Sequence, residues 1–185
     1  MTERITAIDA RDVQRLRTET GAGVMDCKRA LEEAAGDIEK ARDILRKKGL
    51  AAAAQRAGRE AKEGVVEAYI HSGGRIGALV EVSSETDFVA RSPEFRELAR
   101  NIAMQVAAMS PVVVSEEELS AEARTELLKE HGDEKKAMDA AVLLRQPYIR
   151  DSSKTVADLV TALAASTGEN VRIRRFARFQ LGTAA

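Results

Sequence analysis

Only one cysteine, Cys27, occurs among the 185 residues. A lone thiol excludes an intrachain disulfide framework and any cysteine-built zinc cluster. Tryptophan is absent and aromatics total 3%, so Ala, Leu, Val and Ile must supply most of the core. With three prolines and twelve glycines, long irregular regions are not expected. A surplus of either charge is missing too: 29 Lys and Arg face 30 Asp and Glu, for a net charge of −1. That balance argues against an obligate nucleic-acid binder, which carries a basic excess. No apolar run approaches the roughly 18 residues needed to span a bilayer. Met1, Thr2, Glu3 and Arg4 lead into mixed charge without the apolar stretch of a signal peptide. Together these absences predict a cytoplasmic chain with no membrane partner. What is present, 44% hydrophobic and 32% charged residues, fits a folded, helix-rich protein.

The first fifty residues read as three short amphipathic helices. Asp9 suits the N-cap of the first, which carries Val13 and Leu16 and ends in the turn at Thr20, Gly21, Ala22 and Gly23. The second places Val24, Cys27, Ala30, Leu31 and Ala34 at helical spacing, with Gly36 as a stop and Asp37 as the next start. The third carries Ile38, Ala41, Ile44 and Leu45 and is expected to end at Gly49. Residues 50–62, rich in alanine, read as a semi-rigid connector, which places a domain boundary near residue 55.

After Gly64 the apolar period becomes two. Val66, Ala68 and Ile70 share one face of a strand, and Glu67, Tyr69 and His71 the other. A turn at Ser72, Gly73, Gly74 and Arg75 leads to a second strand over residues 76–82. Ser92 and Pro93 open a helix bearing Phe95, Leu98, Ile102, Val106 and Met109. Residues 112–139 are acidic, with one helix capped by Ser120 and another over about 134–144. Thr155 and Asp158 form a capping box for a helix bearing Val156, Leu159, Val160 and Leu163, which ends at Gly168. Residues 171–181 alternate as a third strand. Val171, Ile173, Ala177, Phe179 and Leu181 are expected on one side, and Arg172, Arg174, Phe176, Arg178 and Gln180 on the other. The fold class is therefore α+β: an N-terminal three-helix domain over 1–55, then a core over 56–185 with a small antiparallel three-stranded sheet covered by helices and a helical acidic region at about 112–145.

No catalytic constellation appears. There is no Walker A loop, no H-E-x-x-H and no G-x-S-x-G, and the two histidines, His71 and His131, are isolated. No metal site, cofactor or catalytic residue is expected. The Gly-rich turn at residues 20–23 follows a helix, where a dinucleotide fold needs a strand, and reads as a helix–helix turn. Behind it, exposed Val24 and Met25 could form a docking surface. Cys27 lies on an apolar helix face and reads as an inert buried thiol. Arg172, Arg174, Arg175 and Arg178 could mark an RNA-binding strand, although aromatic stacking platforms are scarce. Residues 86–89, Thr86, Asp87, Phe88 and Val89, admit two readings. Phe88 and Val89 turn into the core beside Phe95, or Phe88 protrudes as an apolar wedge next to a carboxylate, a common interface hot spot.

Four segments carry a resemblance. Residues 16–31 (LRTETGAGVMDCKRAL), 81–91 (EVSSETDFVAR), 146–151 (QPYIRD) and 174–182 (RRFARFQLG) resemble, in this order and spacing, signatures of the bacterial elongation factor Ts family. Two departures stand out: residues 130–144 are short and lack a Glu-Gly-Arg-containing piece common in the family, and Tyr148 stands where Phe is frequent. There is no room for the second core subdomain and coiled-coil insertion of long members. The resemblance implies a ubiquitin-associated-like (UBA-like) N-terminal domain docking on the GTPase elongation factor Tu, through Val24, Met25 and Lys28. It implies that Thr86, Asp87, Phe88 and Val89 enter near that partner's Mg2+ and disturb its coordination, promoting GDP release. It further implies a non-enzymatic nucleotide exchange factor and a homodimer. The RNA-binding reading of the last strand is the rival.

Overall fold

The structure, a computed structural model, describes residues 8–183; the charged start at residues 1–4 lies outside the described residues. Along the chain run α1 (Ala10–Thr20), α2 (Val24–Glu33), α3 (Ile38–Arg56), β1 (Glu63–Ile70), β2 (Ile76–Ser84), α4 (Asp87–Ala90), α5 (Pro93–Met109), α6 (Ala121–His131), α7 (Glu134–Ala141), β3 (Pro147–Tyr148), β4 (Asp151–Thr155), α8 (Val156–Thr167) and β5 (Arg172–Gln180), with two short 3-10 turns at Glu116–Glu118 and Leu143–Arg145. The chain forms two compact units. One holds the residues through Arg59 together with Thr161–Asn170; the other holds Glu60–Val160 and the residues from Val171 onward.

The first unit is the three-helix bundle. The Asp9 carboxylate accepts the Arg11 amide at 2.8 Å, and that of Asp37 accepts the Lys40 amide at 3.1 Å, so α1 and α3 begin where their caps stand. α1 stops at Gly21, whose φ of 69° is left-handed. Leu16, Cys27, Ala30, Leu31, Ala34, Ala41 and Leu45 form the core. Val24, expected on that face, is the first residue of α2 and is half exposed. Gly49 does not end α3, which runs on through the alanines to Arg56. A Cβ on Gly49 would lie 3.1 Å from Thr161 Cγ2, so this glycine marks a close packing contact inside a helix. The strong helix propensity of residues 51–54 carries the helix past it.

The second unit is built on an antiparallel sheet of order β1-β2-β5. Ser92 Oγ accepts the Phe95 amide at 3.2 Å and Pro93 sits in the first turn, starting α5, which covers one face of the sheet. Ala78, Val80 and Val82 of β2 are buried with Phe95, Leu98, Ile102 and Val106 of α5. β1 presents Val65, Glu67 and Tyr69, the half-buried residues of its alternation, on this same side. Its more apolar face, Val66, Ala68 and Ile70, is the exposed one. Alternation shows that the two faces differ, but which one a later helix covers is decided by tertiary packing.

The expected phase of β5 also fails. Val82 pairs with Ile173 but Glu81 pairs with Arg175, so Arg174 is an extra residue, a β-bulge. The bulge inverts the alternation. Ile173, Phe176 and Arg178 lie opposite Val82, Val80 and Ala78 on the covered face; Arg175, Ala177 and Phe179 lie opposite Glu81, Leu79 and Gly77 on the outer one. Phe179 and Ile173, expected together, are on opposite sides.

Beside the sheet, α6 and α7 close a small cluster of Ala137, Met138 and Val142 against Val113, Leu119 and Leu127. Ser120 caps α6 through the Ala123 amide at 3.1 Å. Arg145 binds Glu116 at 2.7 Å and Asp139 at 2.9 Å, which neutralises part of the acidic run. The β3–β4 hairpin is fixed from inside by two fully buried glutamines. Gln105 Nε2 donates to Gln146 Oε1 and to the Pro147 carbonyl, both at 3.1 Å, and Gln105 Oε1 accepts the Ile149 amide at 2.9 Å. At the start of α8, Thr155 and Asp158 exchange both capping-box bonds, 2.8 Å and 3.2 Å.

Candidate functional site

β2 ends at Ser84 and α5 begins at Pro93; the residues between form a tight loop with the single-turn helix α4. Thr86 is extended (φ −122°, ψ 153°) and is the N-cap of α4. Its Oγ1 accepts the Val89 amide at 3.3 Å. The Thr86 carbonyl accepts the Ala90 amide at 3.2 Å and the Ser84 hydroxyl at 3.0 Å. Val89 and Ala90 are buried, so the turn is pinned to the body of the unit by its second half.

The two sequence readings of this loop are both partly realised. Val89 turns inward, as the core reading asked, and Phe88 is 83% exposed, as the wedge reading asked. Leaving a phenyl ring in water forgoes about 2–3 kcal/mol of burial, a cost that a purely structural residue gains nothing by carrying. Asp87, next to it, is exposed and pairs with Arg91 at 3.0 Å across one helical turn. Thr86, Asp87 and Phe88 thus share the exposed side of the loop, and Val89 is their anchor. Two residues that sequence reasoning did not single out belong here. Arg91 was legible as an i,i+4 partner of Asp87. Ser84 carries no sequence signal beyond its place at a strand end.

The second group of expected contacts lies in the other unit. Met25 is 62% exposed, Val24 less so, and Lys28 is exposed with its Nζ 3.8 Å from Glu32. They lie at the start of α2, directly after the glycine-rich bend. Beneath them Cys27 is fully buried, and burial pushes its thiol above its ordinary pKa, so it is a poor nucleophile.

The arginines of β5 do not make one basic stripe. The bulge sends Arg175 outward, where it pairs with Glu81 at 2.7 Å, and Arg178 inward, where it donates to the Ala107 carbonyl at 3.0 Å. This removes the continuous basic face on which an RNA-binding reading depends. Among the described residues no three His, Cys, Asp or Glu side chains gather in a way that could hold a metal ion, and no helix is long and apolar enough to cross a membrane. Away from the Glu81–Arg175 pair, the outer sheet face is apolar: Val66, Ile70, Leu79, Phe179 and Leu181 are all exposed. A shallow trough of about 480 Å3 runs along it between Ile70, Leu79 and Phe179.

Comparison with known proteins gives this geometry a context. The family model described as elongation factor TS matches residues 51–131, a span that includes the exposed loop. Elongation factor Ts of Caldanaerobacter subterraneus is 53% identical over 195 aligned residues, covering 95% of this chain and 97% of its own length. That of Carboxydothermus hydrogenoformans is 52% identical over 194, covering 95% and 89%. That of Syntrophobacter fumaroxidans is 48% identical over 202, covering 99% and 100%. Identity near one half along nearly the whole of each chain is far above what a shared fold alone requires, and the chain is therefore a member of the elongation factor Ts family, with a role in translation elongation.

Proposed function

We propose that this chain is a guanine nucleotide exchange factor for elongation factor Tu, and that it acts without making or breaking covalent bonds. The observation that carries this reading is Phe88, fully displayed on a loop whose every other hydrophobic member is buried. Such a residue is made to enter another protein. Thr86, Asp87 and Phe88 meet the partner, and Val89 holds them in place. Phe88 is the wedge and the Asp87 carboxylate the polar contact that reorders groups around the bound Mg2+. Loss of Mg2+ contacts removes a large local charge that neutralises the nucleotide's phosphates, so GDP leaves and GTP can bind. By linkage, a factor that binds the empty GTPase more tightly than the GDP form must itself be weakened by GDP to the same degree.

The domain of residues 1–55 supplies docking area through Val24, Met25 and Lys28, and the core of 56–185 delivers the loop. Two copies of the chain pair through the apolar outer face of the sheet. The chain works in the cytoplasm, where its partner is made and used, and needs no nucleic acid, metal or cofactor of its own.

The test is release of a fluorescent GDP analogue from elongation factor Tu in the presence of excess unlabelled GDP. Wild type is expected to accelerate release strongly, and Phe88→Ala, in a still-folded protein, to lose at least tenfold of that acceleration, in line with an interface hot spot of roughly 2 kcal/mol or more. Folded wild-type protein that leaves the release rate unchanged would sink the proposal.

A further inference from the structure

We propose that Ser84 is a positioning residue for the wedge: its hydroxyl ties the exposed loop to the end of the sheet and so sets the fraction of molecules in which Phe88 stands ready. The inference rests on the reading of Phe88 given above and deepens it. Ser84 is the last residue of β2, is fully buried, and pairs in register with Glu63 of β1. It therefore belongs to the rigid frame. Its hydroxyl donates across two residues to the Thr86 carbonyl at 3.0 Å.

The reason a tether is needed lies in the length of α4. Four residues cannot repay the entropy of nucleating a helix, which isolated peptides recover only over a dozen residues or more. The turn holds because it is fastened from outside. Val89 and Ala90 fasten its far side by burial. Ser84 fastens its near side, at the residue just before Asp87 and Phe88. The Thr86 carbonyl it grips is the same one that accepts the Ala90 amide at 3.2 Å. Without the hydroxyl, a carbonyl oriented toward a buried side chain loses a partner, and residues 86–88 gain alternatives to the displayed turn. A partner that binds only the displayed turn then sees an affinity reduced by its population.

The experiment compares four proteins in the GDP-release assay: wild type, Ser84→Ala, Phe88→Ala and the double variant. Ser84→Ala is expected to lower kcat/KM for exchange about 3- to 10-fold, the range of one lost hydrogen bond. In the Phe88→Ala background the same change is expected to cost less than about twofold, because there is no wedge left to position. Ser84→Cys, whose thiol is a weak donor, is expected to fall between wild type and Ser84→Ala, and it takes the place of Ser84→Ala in the cycle if the alanine variant does not fold. Amide hydrogen exchange is expected to quicken at Val89 and Ala90 but not in the middle of β2. Full activity of Ser84→Ala, or an equal loss in both backgrounds, would overturn the proposal while leaving the exchange function intact. Absence of exchange by wild type would instead remove the parent reading.

Discussion

Gly64 shows how much one missing side chain can matter. Its φ is 150°, and a Cβ placed there would fall 2.1 Å from the Val82 carbonyl oxygen. β1 and β2 can approach this closely only because nothing projects from that position. Gly64→Ala is expected to cost more than about 2 kcal/mol, from backbone strain and a forced strand separation, read as a lower urea midpoint of the core. A second residue of this kind is Glu19, at the end of α1. The guanidinium of Arg42, then that of Arg15, holds its carboxyl below the ordinary value of 4.5. The ion pair therefore contributes fully above that value and is lost as pH falls through the lowered folded pKa. Urea titrations should find wild type more stable than Glu19→Gln at pH 6, with the two converging once the pH lies well below 4.5. A gap that persists unchanged at low pH would assign the difference to packing.

Between elements, the decisive contacts are polar. Gln105 of α5 satisfies one donor and one acceptor of the strand hairpin, at Ile149 and Pro147, as well as Gln146. Gln105→Met preserves the volume and removes all three bonds. The Ile149 amide and Pro147 carbonyl would lose their part-buried bonds and the buried Gln146 Oε1 its partner, so the hairpin should open locally, with faster amide exchange at Ile149 before any loss of the sheet. Such a network is illegible in sequence, where Gln105 interrupts an apolar helix face without announcing its partner 41 residues on. The features that were legible are local. Asp9, Asp37, Ser92, Ser120 and the Thr155–Asp158 pair each cap the start of a helix, because a cap is decided by residues two or three apart. Gly49 misled for the opposite reason: its role is a contact with Thr161, distant in sequence. At the loop, the pattern established that Phe88 and Val89 were apolar neighbours. Only the turn of α4 could separate one into water and the other into the core.

At the scale of the whole molecule, the sheet has one face under α5 and one bare. An exposed cluster that includes Ile70, Leu79 and Phe179 is the kind of surface that soluble proteins cover. Light scattering behind size-exclusion chromatography is expected to give twice the chain mass for wild type and the single-chain mass for Leu79→Lys. A single-chain mass for wild type at micromolar concentration would remove the pairing. The aromatic member of this face owes its position to Arg174, the extra residue of β5. Side-chain substitutions along that strand alter one address at a time. Drawing Arg174 into the ladder opposite Glu81 would instead re-address everything after it: the parity of the strand would change, Phe179 would turn beneath α5, and Arg178 would be delivered to the bare apolar surface, whereas deleting Arg174 would leave Arg175 opposite Glu81 and Phe179 opposite Gly77. One unpaired residue thus works as the strand's reading frame, and its absorption into the ladder would damage both faces of the sheet together.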